Sequence, residues 1–286
     1  MAKPQSIRTV AATSVFTLAL GFASAPAHAQ QAPGGPPAGS PIAAMQAKRT
    51  AVLEQCPAQP PIAGATALPI NVRRWGDAGP RVLMVHGGVQ GGLGGGPSTF
   101  DAQEPLAARG WQIEVVDRPG FGRSPTRGPD DMEADAVWIA DMLGGGAHLV
   151  AHSWGAAESL LAAARRPDAV KSLVLVEPAL EALLPTDPGF KDDKVAQAAL
   201  GQRLQQIMGA STPAEYGVMF ARSLGTAGTG TDSPNAVAAA LAADPAQAAR
   251  IGCSLLRARM ASPQAFLQAA NVVARAGIPV LVISGG

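Results

Sequence analysis

The sequence has few aromatic residues, few charges and very few cysteines. Aromatic residues make up 4% of the 286 residues and charged residues 15%, and the formal net charge is +1. Because no run of like charges occurs either, nothing favours nucleic acid or an acidic surface as a partner. Hydrophobic residues make up 47% of the chain, so it is not disordered by composition. Its length suits one large domain or two small ones.

Only two cysteines occur, Cys56 and Cys253. Neither lies in a C-x-x-C or metal-ligand spacing, and we expect no metal or organic cofactor. In an exported chain, two cysteines favour a disulfide. Two separate thiols are the alternative, because the sequence alone does not show whether the cysteines meet.

The first 29 residues are typical of an export signal. Lys3 and Arg8 precede an apolar run over residues 10–25, and Ala27-His28-Ala29 provides a small-x-small cleavage site. The run is short for a membrane span, although an uncleaved anchor is the alternative. We therefore expect a periplasmic or secreted protein without stable membrane insertion after the signal is removed.

The rest of the chain alternates apolar runs with helical patterns. After a Pro/Gly-rich linker at 30–41 and an N-terminal helix with its lead-in at 42–69, a core is predicted over 70–180. Its strands are predicted at 70–76, 81–88, 111–120, 147–153 and 171–179, with helices at 98–110, 130–143 and 155–166. This alternation predicts an α/β fold whose mostly parallel sheet carries helices on both faces.

A second region breaks this alternation. Residues 181–261 contain only helical patterns and are interpreted as a lid inserted after the fourth core strand. A helix at 262–277 and a strand at 278–286 then return to the core. No internal repeat is visible.

The stretch HLVAHSWGAA, residues 148–157, carries a strand into a small-residue helix through Ser153. The pattern approaches G-x-S-x-G, in which a tight turn presents a nucleophilic serine and the neighbours two residues away must be small. Gly155 meets this need, and Ala151 adds one methyl group. The alternative is that Ser153 is a plain helix N-cap.

A glycine-rich stretch, HGGVQGGLGGGP at residues 86–97, follows the first buried strand. Glycines allow the backbone to approach a substrate closely. We therefore predict an oxyanion hole formed by the backbone N–H groups of Gly88 and Trp154. A phosphate-binding loop is the rival interpretation, but neither G-K-[ST] nor G-x-G-x-x-G occurs in this stretch.

Four motifs in this order, VHGG, VVDRPGFGRSP, HLVAHSWGA and PVLVISGG, resemble the α/β-hydrolase fold over roughly residues 70–286. PGFG-x-S and HSWG are similar to those of lid-bearing serine hydrolases: esterases, proline iminopeptidases and carbon–carbon bond hydrolases. The resemblance implies an acyl-enzyme on Ser153 and a small ester or amide as substrate. A serine at 153 instead of aspartate speaks against the epoxide hydrolase and haloalkane dehalogenase branches.

No histidine is a convincing general base. His148 lies early on the strand that carries Ser153, His86 is expected to support the glycine turn, and His152 matches a position that is commonly a structural histidine in the family. The resemblance places the acid after the strand at 278–286 and the base one strand later. We therefore expect a C-terminally truncated hydrolase without its last strand and helix. A degenerate, non-catalytic binding protein is the alternative.

Two further charged positions follow strands. Glu177 is a candidate acid, because some members of the family carry their acid after this strand, whereas a backbone hydrogen-bonding role is the alternative. Asp117 and Arg118 are predicted to form a structural pair near the serine turn.

Overall fold

A six-stranded sheet organises the protein. The structure, a computed structural model, describes residues 41–58, 69–92, 95–224 and 234–284. The predicted export signal, nearly all of the linker and residues 59–68 of the lead-in lie outside these ranges. The strands are β1 (Val72–Trp75), β2 (Arg81–Val85), β3 (Gln112–Val116), β4 (Ala147–His152), β5 (Val170–Val176) and β6 (Val280–Ile283).

The strand order is β1-β3-β2-β4-β5-β6. β1 is antiparallel to β3, and the other pairs are parallel. In the central register Leu83 of β2 lies between Glu114 of β3 and Leu149 of β4. The predicted mostly parallel sheet is thus confirmed. β6 forms one edge, where its four side chains are about half exposed.

Ten α-helices lie in the described part of the chain. They are α1 (Pro41–Leu53), α2 (Gly96–Phe100), α3 (Met132–Met142), α4 (Ser153–Arg165), α5 (Pro188–Asp192), α6 (Lys194–Met208), α7 (Pro213–Ser223), α8 (Pro234–Ala243), α9 (Pro245–Arg257) and α10 (Pro263–Arg275). None of them combines the length and the hydropathy that a membrane span needs.

Helices cover both faces of the sheet. On one face Leu83 and Val85 of β2 pack in a cluster with residues of α3, α4 and α10. On the other face Val82 and Met84 pack with Phe100, at the end of α2. Because successive strand side chains point to opposite faces, an apolar run without alternation indicates a strand buried on both sides. The RVLMV run of β2 satisfies this condition.

The predicted helix at 98–110 differs from the structure. The segment begins at Gly96 as α2 and continues as a 3₁₀ helix over Asp101–Arg109, with Pro105 inside it. Proline has no N–H to donate and its ring clashes with the carbonyl four residues earlier, which disfavours a continuous α-helix. The predicted end is confirmed, because Gly110 adopts a left-handed φ of 86°.

Helices α5–α9 lie between β5 and α10 in the chain, and the N-terminal segment is bound to α9 and to the end of α6. Cys56 forms a disulfide with Cys253 of α9, so the cysteines are paired. Lys48 Nζ donates to the carbonyl of Gly209 at 2.7 Å. Arg49 also donates to a carbonyl at the end of α9. The segment 41–58 therefore contacts these helices at several points.

Candidate active site

Ser153 lies at a strained turn between β4 and α4. Its φ is 52°, in the left-handed region that residues with a Cβ rarely adopt. Such a conformation costs about 1–3 kcal/mol and is concentrated at functional sites. The N-cap of α4 is His152, and no side chain caps this helix. Ser153 is therefore not a plain helix N-cap, and the alternative interpretation of the sequence is wrong.

Glycines at 87 and 155 allow the turn to pass close to the end of β2. A Cβ at position 155 would lie 2.3 Å from the carbonyl oxygen of His86, and one at position 87 would lie 2.6 Å from the Cβ of Ser153. Side chains are excluded at such distances. The methyl group of Ala151, in contrast, is fully buried in the core. The glycine missing from the sequence pattern is therefore not needed at this turn.

The two predicted oxyanion donors belong to the two segments that meet here. Trp154 lies in the first turn of α4, where backbone N–H groups have no acceptor within the helix and the helix dipole favours negative charge. Gly88 follows β2 with a left-handed φ of 87°. Their assignment as an oxyanion hole remains a prediction that this arrangement favours.

His86 is fully buried and hydrogen-bonded on both ring nitrogens. The backbone N–H of Arg118 donates to Nε2 at 3.0 Å, so Nδ1 carries the proton and donates to the carbonyl of Gly87 at 2.7 Å. Burial, assisted by the Arg118 guanidinium, lowers the pKa of His86 to about 3. A neutral imidazole with both nitrogens occupied supports the glycine turn and is not a general base.

His152 and Glu177 flank the turn. Burial lowers the pKa of His152, while the Glu177 carboxylate raises it to a smaller extent. Glu177 is exposed, adopts a left-handed φ of 45° and donates its backbone N–H to Ile283 at 2.7 Å. Two residues later, the N–H of Ala179 donates to the carbonyl of Ser153 at 3.1 Å. The candidate acid thus lies near His152, on a segment that is hydrogen-bonded to the serine turn.

The third histidine of the described residues lies elsewhere on β4. His148 Nδ1 is 2.8 Å from the hydroxyl of Ser172, and its ring packs edge-on against Trp111. Among the described residues, no hydrogen bond joins the hydroxyl of Ser153 to a histidine. The same part of the chain contains no group of His, Cys, Asp and Glu side chains that could hold a metal ion.

The predicted pairing of Asp117 with Arg118 is wrong. The Asp117 carboxylate accepts from Asn71 Nδ2 at 2.7 Å and from the backbone N–H of Arg123 at 3.1 Å. Arg118 instead binds Asp130 at 3.0 Å and Glu158 at 2.8 Å. Successive side chains at the end of a strand point in opposite directions, so neighbours in sequence need not pair.

A buried charge cluster surrounds the Arg118 guanidinium. It contains two arginines and three carboxylic acids, all at most 2% exposed: Arg118, Arg127, Asp130, Asp135 and Glu158. Burial raises the pKa of Glu158 well above its usual range, and it also raises that of Asp130.

The neutral His86 makes stability depend on pH. The unfolded chain takes up a proton at an ordinary pKa of 6.5, whereas the folded state does so only near pH 3. The stability is therefore fully present above pH 6.5 and is lost as the pH falls toward 3. We expect His86→Gln, whose amide oxygen replaces Nε2 as acceptor, to reduce the slope of unfolding free energy near pH 5 by about 1 kcal/mol per pH unit. Urea unfolding of the wild type and of His86→Gln between pH 4 and 7 measures both slopes. Equal slopes would contradict a neutral, buried His86.

The sheet order, the helices on both faces and the strained strand-to-helix turn define an α/β protein of the hydrolase type. The chain belongs to the α/β hydrolase fold family, whose profile matches residues 80–286. The resemblance found in the sequence is thus confirmed.

Similar proteins include esterases and a lipase. A pimeloyl-[acyl-carrier protein] methyl ester esterase of Neisseria meningitidis serogroup A is 34% identical over 126 residues, 44% of this chain and 38% of that protein. Lipase LipV of Mycobacterium tuberculosis is 36% identical over 117 residues, 39% of this chain and 42% of the lipase. The chain thus spans about two fifths of the curated relatives it matches.

Among solved structures, a haloalkane dehalogenase loop variant from Bradyrhizobium elkanii superposes with a TM-score of 0.52. The match covers 77% of each chain at 22% identity. At this identity the likeness concerns the fold alone.

Proposed function

We propose that the protein is an exported serine hydrolase that cleaves a small ester or amide through an acyl-enzyme on Ser153. The observation that carries this proposal is the left-handed φ of 52° at Ser153, in a turn where Gly87 and Gly155 leave no room for side chains. Strain of this kind at the start of a helix is the geometry that exposes a serine nucleophile. The similarity to methyl ester esterases favours an ester over an amide.

In this proposal Ser153 Oγ attacks the carbonyl carbon of the substrate and loses its proton to a general base. The N–H groups of Gly88 and Trp154 stabilise the oxyanion. The tetrahedral intermediate then expels the alcohol or amine, which takes up a proton, and leaves an ester on Ser153. Water hydrolyses that ester and restores the hydroxyl. We assign none of the three described histidines as the base. Both ring nitrogens of His86 are occupied, His148 is hydrogen-bonded to Ser172, and among the described residues no histidine is hydrogen-bonded to the Ser153 hydroxyl.

The proposal includes a lid formed by residues 181–261. One buried hydrophobic cluster supports it, because Val89, next to the predicted oxyanion residue, lies in the same cluster as Leu241 of α8 and Ile251 of α9. These helices thus adjoin the glycine turn.

Export is supported by two features of the chain. Residues 1–29 have the pattern of a signal, and the Cys56–Cys253 disulfide suits an oxidising compartment. We propose a periplasmic or secreted location.

An ester panel tests the function. The full chain is assayed with p-nitrophenyl acetate, butyrate and octanoate and with a proline anilide, next to Ser153→Ala and the control Ser159→Ala. Ser159 lies in the same helix with a buried hydroxyl that has no hydrogen-bond partner among the described residues. We expect ester hydrolysis by the wild type and Ser159→Ala, but not by Ser153→Ala.

Each other outcome argues against the proposal. Hydrolysis that survives Ser153→Ala would exclude this serine as the nucleophile. Preference for the anilide would indicate a prolyl aminopeptidase, and a folded protein that cleaves none of these substrates would favour a non-catalytic binding module or a carbon–carbon bond hydrolase.

A further inference from the structure

We propose that Arg118 is a positioning residue that fixes both peptide planes flanking Gly88 and thereby aims the oxyanion donor. The catalytic consequence rests on the proposed function, but the positioning does not. Arg118 follows β3, outside the strand–helix turn of Ser153, and is fully buried.

The first peptide plane joins Gly87 to Gly88. Its carbonyl oxygen accepts from His86 Nδ1 at 2.7 Å. The backbone N–H of Arg118 makes this possible, because it occupies Nε2 at 3.0 Å and so places the imidazole proton on Nδ1. In a planar trans peptide the carbonyl and the N–H point in opposite directions. A fixed Gly87 carbonyl therefore fixes the direction of the Gly88 N–H, the predicted oxyanion donor.

The second plane joins Gly88 to Val89. Arg118 Nη1 donates to the carbonyl of Gly88 at 3.3 Å. One residue further on, the N–H of Gln90 donates to Asp130 Oδ2 at 3.3 Å, while Asp130 Oδ1 accepts from Arg118 Nη2 at 3.0 Å. The guanidinium thus holds the turn directly at Gly88 and through Asp130 at Gln90. A glycine pair without side-chain anchors has broad conformational freedom, so these contacts restrict the turn.

The backbone N–H that fixes the first plane is kept in any variant at position 118, but the contacts to Gly88 and Asp130 require a guanidinium. Its planar fork reaches Gly88, Asp130 and Glu158 at once, whereas a lysine ammonium is a single point charge on a flexible stem. Arg127 offers a matched control, because it is also buried and charge-paired. Arg127 binds Asp135 at 2.5 Å and the carbonyl of Asp131, and among the described residues it has no hydrogen bond to the turn at 86–90.

The test compares Arg118→Lys with Arg127→Lys in the full chain. The rate of amide hydrogen exchange at Gln90 measures how firmly the turn at 86–90 is held. The kcat and KM for p-nitrophenyl butyrate measure its effect on catalysis. A misplaced oxyanion donor acts in the transition state alone, so we expect Arg118→Lys to lower kcat about 10–100-fold with KM within about twofold. Exchange at Gln90 should accelerate by about tenfold or more in Arg118→Lys. The Gln90 N–H donates to Asp130, and Asp130 is no longer held by the Arg118 guanidinium in this variant. Arg127→Lys should change neither, even where it lowers the melting temperature equally.

Unchanged exchange at Gln90 in a folded Arg118→Lys protein would overturn the inference, and so would equal effects of the two variants. If the wild type hydrolyses no ester, the proposed function fails, while the exchange comparison still decides the positioning role. If Arg118→Lys does not fold, Asp130→Asn weakens the contacts to both Arg118 and Gln90 without deleting a side chain. Accelerated exchange at Gln90 in Asp130→Asn supports the inference, and exchange at the wild-type rate contradicts it.

Discussion

Replacing Cys56 and Cys253 with alanine is expected to lower the free energy of unfolding by about 5 kcal/mol. The disulfide joins residues 197 positions apart, so it closes most of the chain into one loop. In the loop-entropy account, a longer loop restricts the unfolded ensemble more strongly. The bond also fastens the segment 41–58 to α9, where Lys48 and Arg49 contribute further contacts.

Urea unfolding of the wild type and of the double alanine variant, each with and without reductant, measures this effect. The variant should be insensitive to reductant, and the reduced wild type should resemble it. If the urea unfolding curves of the oxidised wild type and of the variant had equal midpoints and equal slopes, the disulfide would contribute nothing to the free energy of unfolding.

Gly155→Ala is expected to destabilise the protein by about 3 kcal/mol or more and to disrupt the serine turn. The added methyl group would lie 2.3 Å from the carbonyl oxygen of His86 and 2.9 Å from that of Val85. Both atoms belong to the backbone, so relief requires α4 to move away from β2 at Ser153. Overpacking of a core commonly costs 1–3 kcal/mol, and a backbone clash lies at or beyond the upper end.

Gly201→Ala provides the matched control. This glycine lies inside α6, and a Cβ there would meet nothing within 4 Å. Since alanine is the better helix former, we expect a gain of about 0.5–1 kcal/mol. The same denaturation experiment compares both variants, and a Gly155→Ala protein as stable as the wild type would contradict the close crossing at this turn.

The strand and helix pattern could be predicted from the sequence because burial leaves a periodic signature. The run RVLMV at 81–85 is typical of a strand buried on both faces, and the helical character of residues 181–261 followed from their pattern. The glycine-lined serine turn could also be predicted, because small residues on both sides of Ser153 favour a tight strand-to-helix turn, although a plain helix N-cap was the alternative. In each case the local structure is determined by residues that are close together in the sequence.

Contacts between side chains that are distant in sequence could not be predicted from local patterns. Glu158 lies in a small-residue helix and Asp135 in an acidic first turn, and both resemble ordinary helix positions in the sequence. Their burial around Arg118 depends on how α3 and α4 pack, which no local pattern encodes. The one feature of the sequence that could have indicated this cluster is the presence of charged residues, such as Glu158 and Asp135, within otherwise apolar segments. The pairing of Cys56 with Cys253 is non-local in the same sense.

The central claim is that Ser153 is the nucleophile, and covalent labelling tests it most directly. The full-length folded protein is treated with a fluorophosphonate probe and digested, and the adduct is mapped by mass spectrometry. The account predicts labelling at Ser153 alone, lost in Ser153→Ala and retained in Ser159→Ala. A folded protein that stays unlabelled, or an adduct on a different residue, would contradict it.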